Sequence, residues 1–185
     1  MTRPDENPLR DRSTESVPMD ERKKLRVLFI CTHHSARSPV AEGYLRATYG
    51  DLFDGGSAGT EVRQVNPVAV FVMEERGIDI SGHRSKLIDE FFDSGVDIVV
   101  TVCDSAQRAC PFFPGAKTMI HAAFPDPSVC RRPDECLTLF RQVRDAIIAW
   151  IDSTFYPIVR VSQACFIKPP GVLFGGPGGH SLPRL

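Results

Sequence analysis

Leu25-Arg26-Val27-Leu28-Phe29-Ile30 leads straight into Cys31-Thr32-His33-His34-Ser35-Ala36-Arg37-Ser38, and helical spacing follows over residues 40–49. The first six residues are a short apolar run of the kind buried on both faces of a parallel sheet, so the segment reads as strand, loop, helix. The alternation recurs downstream. Asn66-Pro67 opens a helical stretch through Val68, Ala69, Val72 and Met73 that stops at Gly77, with proline near the start and glycine just past the end. The run from Asp97 through Ile98, Val99, Val100, Thr101 and Val102 to Cys103 is a second buried strand. Leu139, Val143, Ile147, Ile148 and Ile151 share one face of a closing amphipathic helix. Strands alternating with helices predict an α/β fold, an open parallel sheet covered on both faces, with ligands beyond the carboxyl ends of the strands. Cys31 and Cys103 both fall at such ends.

The chain of 185 residues has room for one ordinary domain and some tail. Residues 1–24 hold twelve charged side chains and almost no large apolar ones, so burial cannot offset their ordering entropy, and a disordered charged extension is expected. Residues 156–185 contain ten Pro or Gly, no acid and no sustained period, the composition of an appended Pro/Gly-rich tail. The folded domain is placed at 25–155. Lysine plus arginine number 22 against 23 acids, which leaves no global field to hold nucleic acid or anionic lipid. No stretch approaches the roughly 20 apolar residues of a membrane span, and the first residues lack the apolar run of a signal peptide, so a cytoplasmic protein is expected. Six cysteines are too dilute for a disulfide scaffold and read as free, catalytic or redox-active thiols.

The loop after the first strand carries the chemistry. Backbone N–H groups of Thr32, His33, His34, Ser35 and Ala36, entering a helix N-terminus, favour a tetrahedral oxyanion. Arg37 adds a planar fork that takes two oxygens at once. In that field the Cys31 thiol is expected to ionise below its free value of about 8.5 and act as a nucleophile, with Ser38 donating to the thiolate. A cysteine and an arginine six apart, taken alone, are more simply a core thiol and a surface charge. The strand before, the helix after and Ser38 reverse that balance. Adjacent His33 and His34 lack the partner ligands of a zinc site, so no metal and no cofactor is expected. The glycines between Gly171 and Gly179 have no strand before and no helix after, which excludes a nucleotide loop.

Cys31, five residues, then Arg37-Ser38 resembles the phosphate loop of the low-molecular-weight tyrosine phosphatase superfamily, which includes the thioredoxin-coupled arsenate reductases. Ser57-Ala58-Gly59-Thr60, Val65-Asn66-Pro67, Gly77-Ile78-Asp79-Ile80-Ser81-Gly82-His83-Arg84-Ser85 and Phe124-Pro125-Asp126-Pro127 are similar to stretches of the arsenate reductase branch, in the same order, over roughly residues 25–155. The resemblance implies a single-domain, four-stranded parallel sheet flanked by helices, and a monomer. It also makes Asp126 the general acid, on a loop stiffened by Pro127, although an Asp-Pro alone reads as turn chemistry. Cys103 and Cys110, followed by Pro111, resemble the branch's disulfide relay. Read by themselves they are two inert core thiols. By resemblance Cys31 attacks arsenate, Cys103 attacks the Cys31 adduct and releases arsenite, and Cys110 takes over the disulfide, which thioredoxin or another thiol reductant resets.

The rival enzyme is a phosphatase that hydrolyses phosphomonoesters through a phosphocysteine on Cys31, and a non-enzymatic oxyanion or redox sensor is a third reading. Pro39 is more familiar from the phosphatase branch, whereas Ser128 and Val129 replace the aromatics that usually follow its Asp-Pro. His34 stands where most members carry a loop-bracing asparagine. Glu42 and Ser57 resemble two potassium ligands of some arsenate reductases, but Lys86 falls at an acidic cation-binding position, and its ammonium is expected to replace the ion. Cys130, Cys136 and Cys165 match nothing in the relay and read as surface or core thiols.

Overall fold

Strand β1 (Leu25–Cys31) lies inside the sheet, with Val27, Leu28, Phe29 and Ile30 all buried, as an apolar run covered on both faces must be. It pairs in parallel with β2 (Phe53–Gly59) on one side and with β3 (Ile98–Thr101) on the other, and β4 (Thr118–His121) adds outside β3. The order is β2-β1-β3-β4. Helices α1 (Arg37–Tyr49), α2 (Pro67–Glu74) and α3 (Asp104–Ala109) lie in the crossovers, and α4 (Pro133–Ala164) closes the chain path. The computed structural model describes residues 23–61, 63–110 and 112–164. Residues 1–22 of the extension read over 1–24, the tail from residue 165 on, Pro111 and Cys165 lie outside the described residues. Strand order reverses between β1 and β3, so the crevice of this sheet opens at their carboxyl ends. Cys31 ends β1, and Cys103 stands two residues past β3, where the Val102 N–H donates to the Ile30 carbonyl at 2.8 Å.

Two strands lack the apolar signal that marks the others. β2 reads FDGGSAG, and its small residues serve packing: a Cβ on Gly55 would sit 3.1 Å from Arg46 Cγ and 3.3 Å from Leu45 Cδ2 of α1. β4 is a short edge strand with no fully buried residue. Helix α1 starts at Arg37, three residues before its apolar period begins, so the arginine belongs to the first helical turn. A 3-10 turn at Ile88–Phe91 lies between α2 and β3.

The boundary expected at residue 155 is corrected, because α4 runs on to Ala164 through Pro157. Phe155 explains the continuation. It is fully buried, its ring centroid 5.0 Å from Phe53 and 6.1 Å from Trp150, and Val159 one turn later also packs on the core. Burial of that face outweighs the hydrogen bond that Pro157 cannot make. Nearer its start, α4 presents Phe140, Val143, Ile147 and Ile151 to the core. Arg144, also buried, donates to the Val72 carbonyl at 2.7 Å and to Glu75 at 2.9 Å, tying α4 to α2. Among the described residues no helix is long and apolar enough to cross a membrane. Phe155→Ala should cost about 3–5 kcal/mol of unfolding free energy, read as a lowered urea midpoint. A loss within experimental error would mean that α4 beyond Ile151 is not part of the core.

Candidate active site

The loop between β1 and α1 is shaped by what its carbonyls bond to. The Cys31 carbonyl accepts from Thr60 N–H at 3.2 Å, Thr32 from Glu61 at 2.8 Å, His33 from Arg63 at 3.2 Å and Ser35 from Asn66 at 2.7 Å. With those carbonyls drawn toward the β2–α2 connection, the other side of the peptides turns toward the thiol. The His34 N–H already donates to Cys31 Sγ at 3.0 Å. Gly59 makes this close approach possible. A Cβ there would meet the Glu61 carbonyl oxygen at 2.6 Å, His34 Cβ at 2.8 Å and the Thr32 carbonyl oxygen at 2.9 Å.

His34 is the brace. Its backbone is left-handed, at φ 48, which histidine and asparagine tolerate better than most residues. Its ring, fully buried, accepts from the Lys86 N–H at Nδ1 (3.1 Å), so Nε2 carries the proton and donates to Ser57 Oγ (2.7 Å). The Ser57 hydroxyl donates to Glu42, and Glu42 accepts from the Lys86 ammonium at 3.2 Å. The chain thus begins and ends on Lys86. Burial and the Lys86 charge push His34 down to about 4, and a protonated ring would have no lone pair for the Lys86 N–H. Ser57 and the Lys86 ammonium hold Glu42 below the usual carboxylate range against its burial. Lys86 therefore stands where the resemblance put a potassium ligand, and these residues do not fit a bound cation.

At the mouth of the loop, Ser38 Oγ lies 2.9 Å from Cys31 Sγ. Arg37 is engaged by the segment that carries Asp126: Nη2 is 3.1 Å from Asp126 Oδ2, and Nη1 donates to the Phe124 carbonyl at 3.1 Å. Burial pushes the Cys31 thiol up, opposed by Ser38, Arg37 and the His34 N–H. In this closed arrangement desolvation opposes the low thiol expected from sequence, and Asp126 pairs with the arginine that would favour the thiolate. Asp126 also caps the 3-10 turn Pro127–Val129, accepting the Ser128 N–H at 3.0 Å. Turn chemistry and proximity to Arg37 coexist at this residue.

Cys103 caps α3, with its Sγ 3.4 Å from the Ala106 N and 3.4 Å from Thr32 Oγ1, next to Cys31 in the loop. Cys110 ends the same helix, buried, its thiol 3.6 Å from the Phe112 carbonyl. Cys31, Thr32, Arg37, Ser38, Cys103 and Asp126 therefore share one crevice, while Cys110 is held off by the length of α3. His33 points elsewhere, its Nδ1 3.0 Å from Glu61. Sequence reasoning missed two features. Gly59 appeared only inside a family stretch, and its pairing opposite Cys31 needs the sheet register. Cys130 and Cys136, read as thiols, form a disulfide, and their six-residue spacing was the available signal.

Gly59→Ala should cost about 1–3 kcal/mol by overpacking and depress any loop chemistry more than stability alone explains, since the atoms it meets are loop backbone. A variant with unaltered turnover would show that the loop tolerates displacement. The His34 ring gives a pH test. Its folded value, about 4, lies below the 6.5 of an unperturbed histidine, so the unfolded chain binds the extra proton between them. Stability from this group is present above 6.5 and is lost as pH falls toward 4. Between pH 7 and 4.5 wild type should lose roughly 2–3 kcal/mol more than His34→Asn in urea unfolding. His83, also held down by burial, titrates in both proteins and cancels. Equal losses would mean that His34 is not buried as the neutral ring.

The family model for low molecular weight phosphotyrosine protein phosphatases matches residues 26–149. An arsenate reductase from Halalkalibacterium halodurans is 43% identical over 122 residues, which is 65% of this chain and 88% of that one. A solved arsenate reductase in the phosphate-binding state superposes with a TM-score of 0.63 at 30% identity, covering 72% of this chain and 98% of the other. A low molecular weight tyrosine phosphatase from T. tengcongensis superposes at 0.61 with 27% identity, covering 72% and 99%. With a matched loop, sheet order and span, this chain belongs to the low molecular weight phosphotyrosine protein phosphatase family.

Proposed function

We propose that the chain is an arsenate reductase, a cytoplasmic monomer reset by thioredoxin or a comparable dithiol, with residual phosphatase activity from the same loop. Its similarity to proteins named arsenate reductase supports this reading, and the position of Cys103 carries it. A phosphatase needs only Cys31, Arg37 and Asp126. In that reaction Cys103 does no more than cap α3, whereas a buried thiol within reach of Thr32 gains a chemical role where a sulfur adduct on Cys31 must be attacked.

The first step joins the Cys31 sulfur to arsenic and releases water, with Asp126 giving the proton to the departing oxygen. The Arg37–Asp126 contact couples the two groups. Moving one proton from Cys31 to Asp126 produces the thiolate and the acid together and frees Arg37 for two arsenate oxygens. Cys103 thiolate then attacks the Cys31 sulfur, the sulfur–arsenic bond breaks, and its electron pair stays on arsenic as arsenite. Two thiols have been oxidised and arsenic reduced by two electrons. Cys110 next attacks the Cys103 sulfur and expels Cys31. With α3 helical, seven residues at 1.5 Å put the two Cα atoms about 10.5 Å apart, beyond the roughly 7 Å limit of a disulfide, so α3 must unwind. Burial pushes the Cys110 thiol up, and unwinding removes that obstacle to its ionisation.

The test is arsenate turnover with thioredoxin and with glutathione in parallel, alongside hydrolysis of an aryl phosphate. Wild type should sustain turnover with thioredoxin. Cys103→Ser should fall to the background rate of arsenite release yet keep aryl phosphate hydrolysis, and Cys110→Ser should stop after one arsenite per chain. Full multiple turnover by Cys103→Ser would reject the relay and put the phosphatase reading first.

A further inference from the structure

Cys130 and Cys136 take no part in the relay, yet they are bonded to each other in the segment that carries Asp126. Asp126 caps the turn Pro127–Val129, and Cys130 follows that turn directly. Cys136 lies at the start of α4, whose Phe140, Val143 and Ile147 are buried in the core. The bond thus shortens the path from Asp126 to a fixed helix. Along the chain the segment reaches α4 through Arg131 and Arg132, both exposed, while Phe124 before the turn meets Trp150 of α4 edge-on. The other anchors, buried Pro127, the Phe124 contacts with Trp150 and Arg37, and the Asp126 contact with Arg37, all lie before Cys130, so the bond is what fixes the far end of the loop.

The bond has the character of a reversible one. It closes a loop of only six residues' separation, where the entropic gain from cross-linking is smallest. Both cysteines are half-buried and line surface depressions, Cys130 with Asp134, Glu135 and Thr138, and Cys136 with Phe71 and Leu137, open to a small thiol. In a reducing compartment, disulfides of this kind are transient or redox-sensing rather than structural.

We propose that Cys130 and Cys136 form a reversible thiol–disulfide site that tunes the position of the Asp126 loop, its Cys130 end fixed to α4 when oxidised and freed when reduced. The proposal rests on the reading of Asp126 as general acid. Oxidation proceeds by exchange with a low-molecular-weight disulfide. One thiolate of the pair attacks it, forming a mixed disulfide and releasing one small thiol. The second thiolate attacks the protein sulfur of that bond, forming Cys130–Cys136 and releasing the second thiol. Two protein thiols are oxidised, one external disulfide is reduced, and the two protons end on the released thiols. Excess thiol runs the exchange backward.

The full-length chain is equilibrated in buffers of reduced and oxidised glutathione, and the state of each cysteine is read by alkylation and peptide mapping. Hydrolysis of phenyl phosphate, whose leaving group needs a proton, is measured against 4-nitrophenyl phosphate, whose leaving group needs it far less. Their rate ratio is independent of how much Cys31 is active. General acids contribute about 10²–10⁴-fold, so partial loss of position should lower the ratio about tenfold as the pair is reduced. Cys130→Ala with Cys136→Ala, or the paired serine variant, should hold the ratio at the reduced value in every buffer. The wild-type ratio following the mapped state of the pair, with both double variants insensitive, supports the proposal. A pair that never bonds, or a ratio that ignores its state while Asp126→Asn still collapses the ratio, overturns the switch and leaves the acid assignment standing. A ratio unmoved by Asp126→Asn overturns both.

Discussion

The site depends on which way the peptides of residues 31–35 face. Carbonyls pointing into the crevice would repel an oxyanion, and N–H groups pointing in attract one. The orientation is not a property of the loop alone. It is imposed by N–H donors at Thr60, Glu61, Arg63 and Asn66, which take the loop carbonyls, and it requires Gly59 to let the two backbones approach. The connection from β2 to α2, which carries no thiol and no acid beyond the exposed Glu61, therefore builds the crevice as much as the loop does.

The buried polar chain behind the loop solves a second problem. A left-handed residue at position 34 needs a side chain that satisfies neighbours on both sides, and a neutral imidazole with Nε2 protonated does so. Burying Glu42 would be costly alone. It is offset by the Ser57 hydroxyl, by Arg46 at 3.1 Å and by the Lys86 ammonium, whose own backbone N–H starts the chain at His34. Every member has a donor or acceptor role that depends on the next. Protonating His34 would disturb the whole series, which is why its titration registers as stability rather than as a local event.

How much of this was legible depends on where the signals lie. The inner strands were plain, because burial on both faces leaves continuous apolar runs at β1 and β3. β2 was not, since its glycines reflect the approach of α1 at Gly55, Phe91 at Gly56 and the loop at Gly59 rather than strand propensity, and β4 is too short and exposed to leave a pattern. Cys31, Arg37 and Ser38 could be picked out because they are contiguous and framed by strand and helix. The end of the domain could not. Pro157 and the scatter of polar residues after Phe155 look like a terminus, and only Phe155 and Val159 packing against the core reveals a helix. The Cys31 thiol is legible only in part for a related reason: the loop's donors are visible in sequence, whereas the desolvation opposing them is a property of the folded crevice.

The geometry also shows how small a change separates two chemistries on this frame. Thiolate attack on a bound oxyanion needs the loop, Arg37 and a proton donor, all at the carboxyl end of β1. The fate of the adduct is then set by the nucleophile that reaches it. Water attacking phosphorus regenerates Cys31 and needs only Asp126 as a base. A thiol attacking the Cys31 sulfur requires a cysteine on the neighbouring strand end, and strand order puts β3 beside β1 there. Cys103 occupies that position because β3 delivers it directly into the first turn of α3. The same helix separates Cys103 from Cys110. In the proposed relay, a short helix bounded by two thiols would keep the last step from preceding the first.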